Sequence, residues 1–318
     1  MIAAIRTMEV TKVTVDIIIP TYRPDWRFDR LIQKLIRQTY PIRNIIVINT
    51  KAGAFPWETT GLDPRIKVKE ISSREFDHGG TRNMAVEMSD ADIIVCMTQD
   101  AVPKDSNLID HLISVFDDER IGCAYARQLP ADDCDVIERY TRGFNYPDKS
   151  CVKEESSVET MGIKAFFCSN VCAAYRKSSY EEAGGFVKRA IFNEDMIMAG
   201  RMMKLGWKCA YVAEAEVIHS HNYSCIQQFK RNFDLAVSQA DYPDVFEGIK
   251  SESEGIKLVS QTAAYLLRIR KPWLIVKLVV KSGFKYLGFL LGKNYKKLPK
   301  RLVVRCSSNP KYWTSVVQ

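Results

Sequence analysis

Short apolar runs alternate with stretches of helical spacing along most of the chain. Asp16-Ile17-Ile18-Ile19-Pro20 is an apolar run closed by proline and reads as a buried strand. Phe28, Leu31, Ile32, Leu35 and Ile36 then recur at helical intervals, which predicts a helix over 26–38. Residues 44–49 and 66–71 predict two further strands, 80–89 a helix, 92–98 another buried strand and 107–116 another helix. The polar stretch 127–160 predicts a long loop or excursion. Residues 166–176 look strand-like, 192–205 helical and 207–213 extended, and from about Ser224 onward the pattern is helical throughout. No internal repeat is present. Strands alternating with helices predict an α/β domain whose mostly parallel sheet is covered on both faces. Ligands of such sheets sit outside the carboxyl ends of the strands, so chemistry is expected just after each one.

Those positions carry suitable residues. Pro20-Thr21-Tyr22-Arg23 ends the first strand and Asn49-Thr50 the second, where a base and ribose would fit or where ordinary turns would serve. His78-Gly79-Gly80-Thr81-Arg82 enters a helix, whose free N–H groups, with the Arg82 charge, suit an anion. Gln99-Asp100-Ala101 follows the most apolar strand, and a carboxylate there is placed to hold a divalent cation or to cap the next element. Glu194-Asp195 opens a helix, where a carboxylate either serves as a general base or favours the helix N-terminus. His219 and His221 are two of only four histidines, and at i, i+2 they point the same way on an extended segment, fit for a metal or a phosphate.

Composition narrows the class. Hydrophobic residues make up 46% of the 318, enough for a sizeable core. Residues 255–318 hold 14 Lys and Arg and no Asp or Glu, so a whole-chain charge of +8 divides into a mildly acidic body of −6 and a strongly basic tail. Within 273–291, Lys277, Lys281 and Lys285 form one stripe beside a broad apolar face, the pattern of a helix lying in an anionic membrane interface or, alternatively, of one packed on the catalytic domain with its lysines solvated. The apolar face is too wide for nucleic-acid binding, and no nucleic-acid motif is present. The N-terminal residues lack a signal-peptide core and no segment has the length of a membrane span, so the expectation is a cytosolic protein. Nine cysteines at irregular spacing, with no CxxC, make a poor disulfide framework and a poor zinc site; reduced, mostly buried thiols are expected.

The order of these motifs, DIIIPTYR, HGGTRN, a strand-end aspartate, GGF…NED and His-x-His, resembles family 2 glycosyltransferases of the GT-A fold over roughly residues 14–245. EFDHGGTRN, TQDA, FNED and HSHNYS look most like the bacterial rhamnosyltransferases of that family. The resemblance implies a catalytic domain over 1–245, and the charge pattern makes 246–318 a basic, membrane-associating helical extension. It implies inverting transfer of a sugar, L-rhamnose from dTDP-L-rhamnose, to a glycan or lipid-linked glycan at the inner face of the membrane. A UDP-sugar donor (hexose or galactofuranose) and a non-catalytic nucleotide-binding scaffold are the alternatives.

It further implies Asp195 as base with Glu194 beside it. Donor contacts would come from Pro20, Thr21, Tyr22, Arg23, Asn49, His78, Gly79, Gly80, Arg82, Gln99 and Asp100. The family's metal-binding Asp-x-Asp is reduced here to Asp100, which would hold Mg²⁺ or Mn²⁺ with help from His219 or His221.

Overall fold

The computed structural model describes residues 13–249 and 252–314, so residues 1–12, on which part of the leader reading fell, lie outside it. Nine strands form one sheet: β1 (Val15–Tyr22), β2 (Ile42–Thr50), β3 (Ile66–Ile71), β4 (Ile93–Met97), β5 (Val102–Pro103), β6 (Ile121–Leu129), β7 (Cys151–Lys153), β8 (Cys172–Arg176) and β9 (Lys208–Ile218). Their spatial order is β3-β2-β1-β4-β8-β6-β9-β5, with β7 on β9. The pairs among β1 to β4 are parallel, as is β6 with β9. β8 runs antiparallel to both β4 and β6, so the sheet is mixed.

Ten helices matter here: α1 (Trp26–Leu35), α2 (His78–Val86), α3 (Leu108–Ser114), α4 (Val136–Asn145), α5 (Glu194–Lys204), α6 (Cys225–Asp241), α7 (Glu252–Arg268), α8 (Leu274–Lys293), α9 (Lys300–Cys306) and α10 (Pro310–Thr314). The apolar strands bury both faces, as side-chain alternation requires. Ile17 and Ile19 of β1 and Val95 of β4 pack with α1 and α3 on one side. Ile18 and Cys96 pack with α2 and α5 on the other.

Three expectations need correction. The stretch 127–160 is not one long loop: β6 runs to Leu129, and α4 follows, capped by the Asp135 carboxylate, which accepts from Ile137 N–H at 2.9 Å. Only Ile137 of α4 is buried, so its sequence carries little apolar signal. In 166–176 only Cys172–Arg176 is strand, and the residues before it turn. The basic stripe of α8 exists but faces the protein. Lys277 bonds Asp135, Lys281 lies 3.8 Å from the same carboxylate, and burial pushes Lys285 below its usual range.

The outward face of α8 is apolar instead. Trp273, Val276, Val279, Val280, Phe284, Tyr286, Leu287 and Leu290 are all exposed. On its inner side α8 crosses α6 closely: a Cβ on Gly288 would lie 2.2 Å from the Phe229 carbonyl oxygen, and one on Gly292 equally near that of Phe233. Among the described residues no helix is long and apolar enough to cross a membrane.

Candidate active site

A cavity of about 390 Å³ opens where β4, β6, β9 and the N-terminus of α5 meet. It gathers His78, Arg82, Asp100, Glu194, Asp195, His219 and His221, which lie far apart in sequence. Asp100 sits beyond the end of β4. Its Oδ1 is 3.6 Å from His219 Nε2, its Oδ2 is 3.3 Å from His221 Nε2, and the two Nε2 atoms are 3.1 Å apart. The three potential ligand atoms lie within 4.8 Å of one another.

The tautomer follows from Gln128. Its Oε1 already accepts from Arg142, so His219 Nδ1, 3.0 Å away, must be the donor. That leaves the Nε2 lone pair aimed at Asp100. Burial, and then His221, hold His219 well below its usual pKa, so the ring stays neutral. The donor set fits a divalent cation.

The two carboxylates of α5 differ. Glu194 Oε1 lies 3.0 Å from Arg82 Nη1 and accepts from Asn170 Nδ2 at 3.3 Å. Burial raises the Glu194 pKa, but Arg82 and then His78 outweigh it and hold the group below its usual range. Asp195 has only backbone donors: Asn170 N–H to Oδ2 at 2.9 Å and Met196 N–H to Oδ1 at 2.8 Å. Burial, reinforced by the Glu194 charge, pushes its pKa up to about 7. Asn193, with φ 62°, turns the chain into α5 so that both carboxylates enter the cavity.

Other expected residues sit around this cavity rather than in its lining. Thr21 Oγ1 donates to Asn49 Oδ1 at 3.1 Å, and Asn49 Nδ2 donates to Glu70 Oε1 at 3.3 Å. Pro20 and Tyr22 lie at the same strand end, and Arg23 donates to the Ala52 carbonyl at 3.1 Å. Gln99 spends both ends of its amide on the Tyr22 backbone, at 2.8 and 3.1 Å, and so braces β1 against β4.

The α2 terminus departs from the anion reading. The Gly80 N–H is taken by the Asp77 carboxylate at 2.6 Å. Gly79 is required by close packing, since a Cβ there would lie 2.0 Å from the Val187 carbonyl oxygen.

The sequence reading missed Arg231, Arg142, Gln128, Asn170 and Tyr223, all in the cavity wall. The Arg231 guanidinium lies 4.7 Å from the Tyr223 ring centroid and 5.1 Å from that of Phe192. It makes no ion pair among the described residues, which leaves its donors for an anionic ligand. Nothing in the spacing marks it, because Lys230-Arg231 reads as ordinary helix surface.

Fold and site together define a glycosyltransferase of the GT-A type. The chain belongs to glycosyl transferase family 2, whose family model matches residues 16–184. It is 38% identical over 309 residues to the O-antigen chain rhamnosyltransferase RfbN of Salmonella typhimurium, covering 95% of this chain and 96% of that one. It is 34% identical over 307 residues to the O-antigen chain rhamnosyltransferase WbaN of Salmonella anatum, covering 94% and 96%. Among solved structures, the fold is similar to the mannosyltransferase PcManGT of Pyrobaculum calidifontis in complex with GDP-Man and Mn²⁺. That match has a TM-score of 0.57 at 13% identity and covers 96% of this chain and 86% of that one. S. aureus TarS 1-349 in complex with UDP-GlcNAc gives 0.52 at 11% identity, covering 89% and 91%.

Proposed function

We propose that this enzyme transfers L-rhamnose from dTDP-L-rhamnose, with inversion, to a hydroxyl of a lipid-linked glycan in cell-surface polysaccharide synthesis. The sugar rests on the similarity to two rhamnosyltransferases along nearly the whole chain. The chemistry rests on one observation: of two adjacent buried carboxylates, Glu194 is tied to Arg82 and Asp195 is not.

In this reading Asp195 is the general base, since a pKa about 7 matches its task. The acceptor oxygen attacks the anomeric carbon, its proton passes to Asp195, and the bond from that carbon to the diphosphate oxygen breaks. dTDP leaves with the bonding electrons. No covalent enzyme intermediate is needed.

Asp100, His219 and His221 would hold a divalent ion, which when bound neutralises the charge of the departing diphosphate. Two nitrogens among three donors suit Mn²⁺ better than Mg²⁺, which prefers oxygen. Arg231 is the cation of the cavity left for the phosphates, whereas Arg82 serves Glu194. The strand-end shelf of Pro20, Thr21, Tyr22, Arg23 and Asn49 is assigned to the nucleoside.

Residues 1–245 act as the catalytic domain and 246–318 as a membrane-associating extension on the cytoplasmic face. The apolar outward side of α8, followed by the exposed Lys293, Lys296, Lys297, Lys300 and Arg301, supports that role.

Calorimetric binding of dTDP, UDP, GDP and CMP, with Mn²⁺ or Mg²⁺ and again with EDTA, tests the reading. Tight, metal-dependent dTDP binding is expected. Preference for UDP would replace the donor, and no binding to any of them would overturn the enzyme reading.

A further inference from the structure

Beside the catalytic cavity, strand register lines up a row of side chains given no role in the reaction above. Lys153 of β7 is paired with Cys209 of β9, Cys209 with Cys123 of β6, and Cys123 with Tyr175 of β8. Paired residues share one face of a sheet, so these four point into the same core. Cys168, from the turn before β8, completes the group. The three Sγ atoms of Cys123, Cys168 and Cys209 lie within 4.8 Å of one another, and all three residues are at most 1% exposed.

Buried thiols alone need no further role, since cysteine packs as a small hydrophobe. Lys153 is what asks for one. It is 1% exposed, and its ammonium donates only to neutral groups: Tyr125 Oη at 3.2 Å, the Lys164 carbonyl at 3.4 Å and the Phe167 carbonyl. It makes no ion pair with a carboxylate among the described residues. A buried ammonium is stabilised by a nearby anion, and the ionisable neighbours are the Tyr125 phenol and the thiols, of which a thiol is ordinarily the stronger acid.

We propose that Cys123, Cys168 and Cys209 bind one thiophilic divalent metal ion of the zinc class, with Lys153 as the compensating charge. Three thiolates around a divalent ion carry one net negative charge, and Lys153 carries one positive charge. The thiol protons are released on binding.

The site braces the catalytic base. Cys168 lies two residues before Asn170, whose N–H holds Asp195, and Tyr175 Oη, 3.6 Å from Cys168 Sγ, donates to Asn170 Oδ1 at 2.8 Å.

The test uses the full-length protein produced in cobalt- or zinc-supplemented medium and dialysed against EDTA. One retained ion per chain is expected, with a thiolate-to-cobalt charge-transfer band in the near ultraviolet. The band should persist in Asp100→Ala, which removes only the cavity site, and vanish in Cys123→Ser and Cys209→Ser. Because a serine in this core can unfold the chain, the unaltered zinc-loaded protein is also unfolded in guanidinium chloride with a zinc-binding indicator present. One equivalent of zinc should be released as the chain unfolds. A wild-type protein that retains no ion and shows no band would overturn the proposal, leaving a metal-free thiolate beside Lys153. A band lost in Asp100→Ala and kept in the cysteine variants would overturn it as well.

Discussion

Arg82 Nη1 lies 3.0 Å from Glu194 Oε1, while the next carboxylate in the chain, Asp195, has no cation of its own. One arginine thus divides two neighbouring acids into a fixed anion and a titratable group. Asp195→Asn should abolish turnover and leave dTDP binding nearly intact, read by calorimetry beside a transfer assay. Transfer at the parental rate would remove Asp195 as base.

The same pair governs pH dependence. Asp195 must be ionised to act, so kcat/KM should rise through an acidic limb near pH 7 and level off above it. Glu194 charge is the second cause of the upward shift, after burial, so Glu194→Gln should move that limb to lower pH. Stability runs the other way. The folded pKa lies above the ordinary 3.8, so the folded state holds a proton that the unfolded state has lost. This contribution to stability is full below pH 3.8 and is lost as pH rises to about 7 and beyond. Above pH 7 the Asp195→Asn variant should therefore melt at a higher temperature than the parent. A lower melting temperature there would contradict the assignment.

Gln128 fixes the His219 tautomer without lying among the three ligand atoms. Second-layer partners of ligating histidines carry about 10–100-fold in metal affinity. Gln128→Ala should weaken Mn²⁺-dependent dTDP binding by that factor and leave metal-free binding unchanged. An equal loss with and without metal would mean that Gln128 serves the cavity wall instead.

What the chain disclosed beforehand follows from where its signals lie. β1, β2 and β4 were legible because strands buried on both faces are unbroken apolar runs. Asp100, Asp195 and the two histidines stood out because each follows such a run or opens a helix. α4 stayed hidden because it buries little more than Ile137. Arg231 stayed hidden because its partners are aromatic rings contributed by separate segments. The thiol group was invisible because a metal site is usually read from spacing along the chain, whereas register across β6 and β9 brings these cysteines together.

The docking of α8 on α6 depends on glycine at two positions. Gly288→Val would drive a side chain into the Phe229 carbonyl and should cost about 1–3 kcal/mol in urea unfolding. Gly283, on the open side of the same helix, has nothing within 4 Å of a Cβ. Gly283→Ala should stabilise by up to about 1 kcal/mol through helix propensity. Equal effects at the two positions would mean that the helices do not cross as described.

The membrane role turns on the outward side of α8 rather than on its lysine stripe. Lys277 and Lys281 are engaged with Asp135, so neither is free to meet lipid phosphates. Val276 and Leu287, at 70% and 49% exposed, lie on the outward face at helical spacing. The double variant Val276→Glu, Leu287→Glu should lose binding to anionic liposomes while keeping dTDP affinity. Removing everything after about Gly255 should release the protein as well, but it also uncovers the α6 surface against which Gly288 and Gly292 pack. The point variants are therefore the cleaner test. Salt separates the two contributions. Attraction through the exposed Lys297, Lys300 and Arg301 is screened at high ionic strength, whereas insertion of the apolar face is not. Partial binding should thus survive salt in the parent and disappear in the glutamate variant. Liposome binding unchanged by the two glutamates would sink the membrane role of α8.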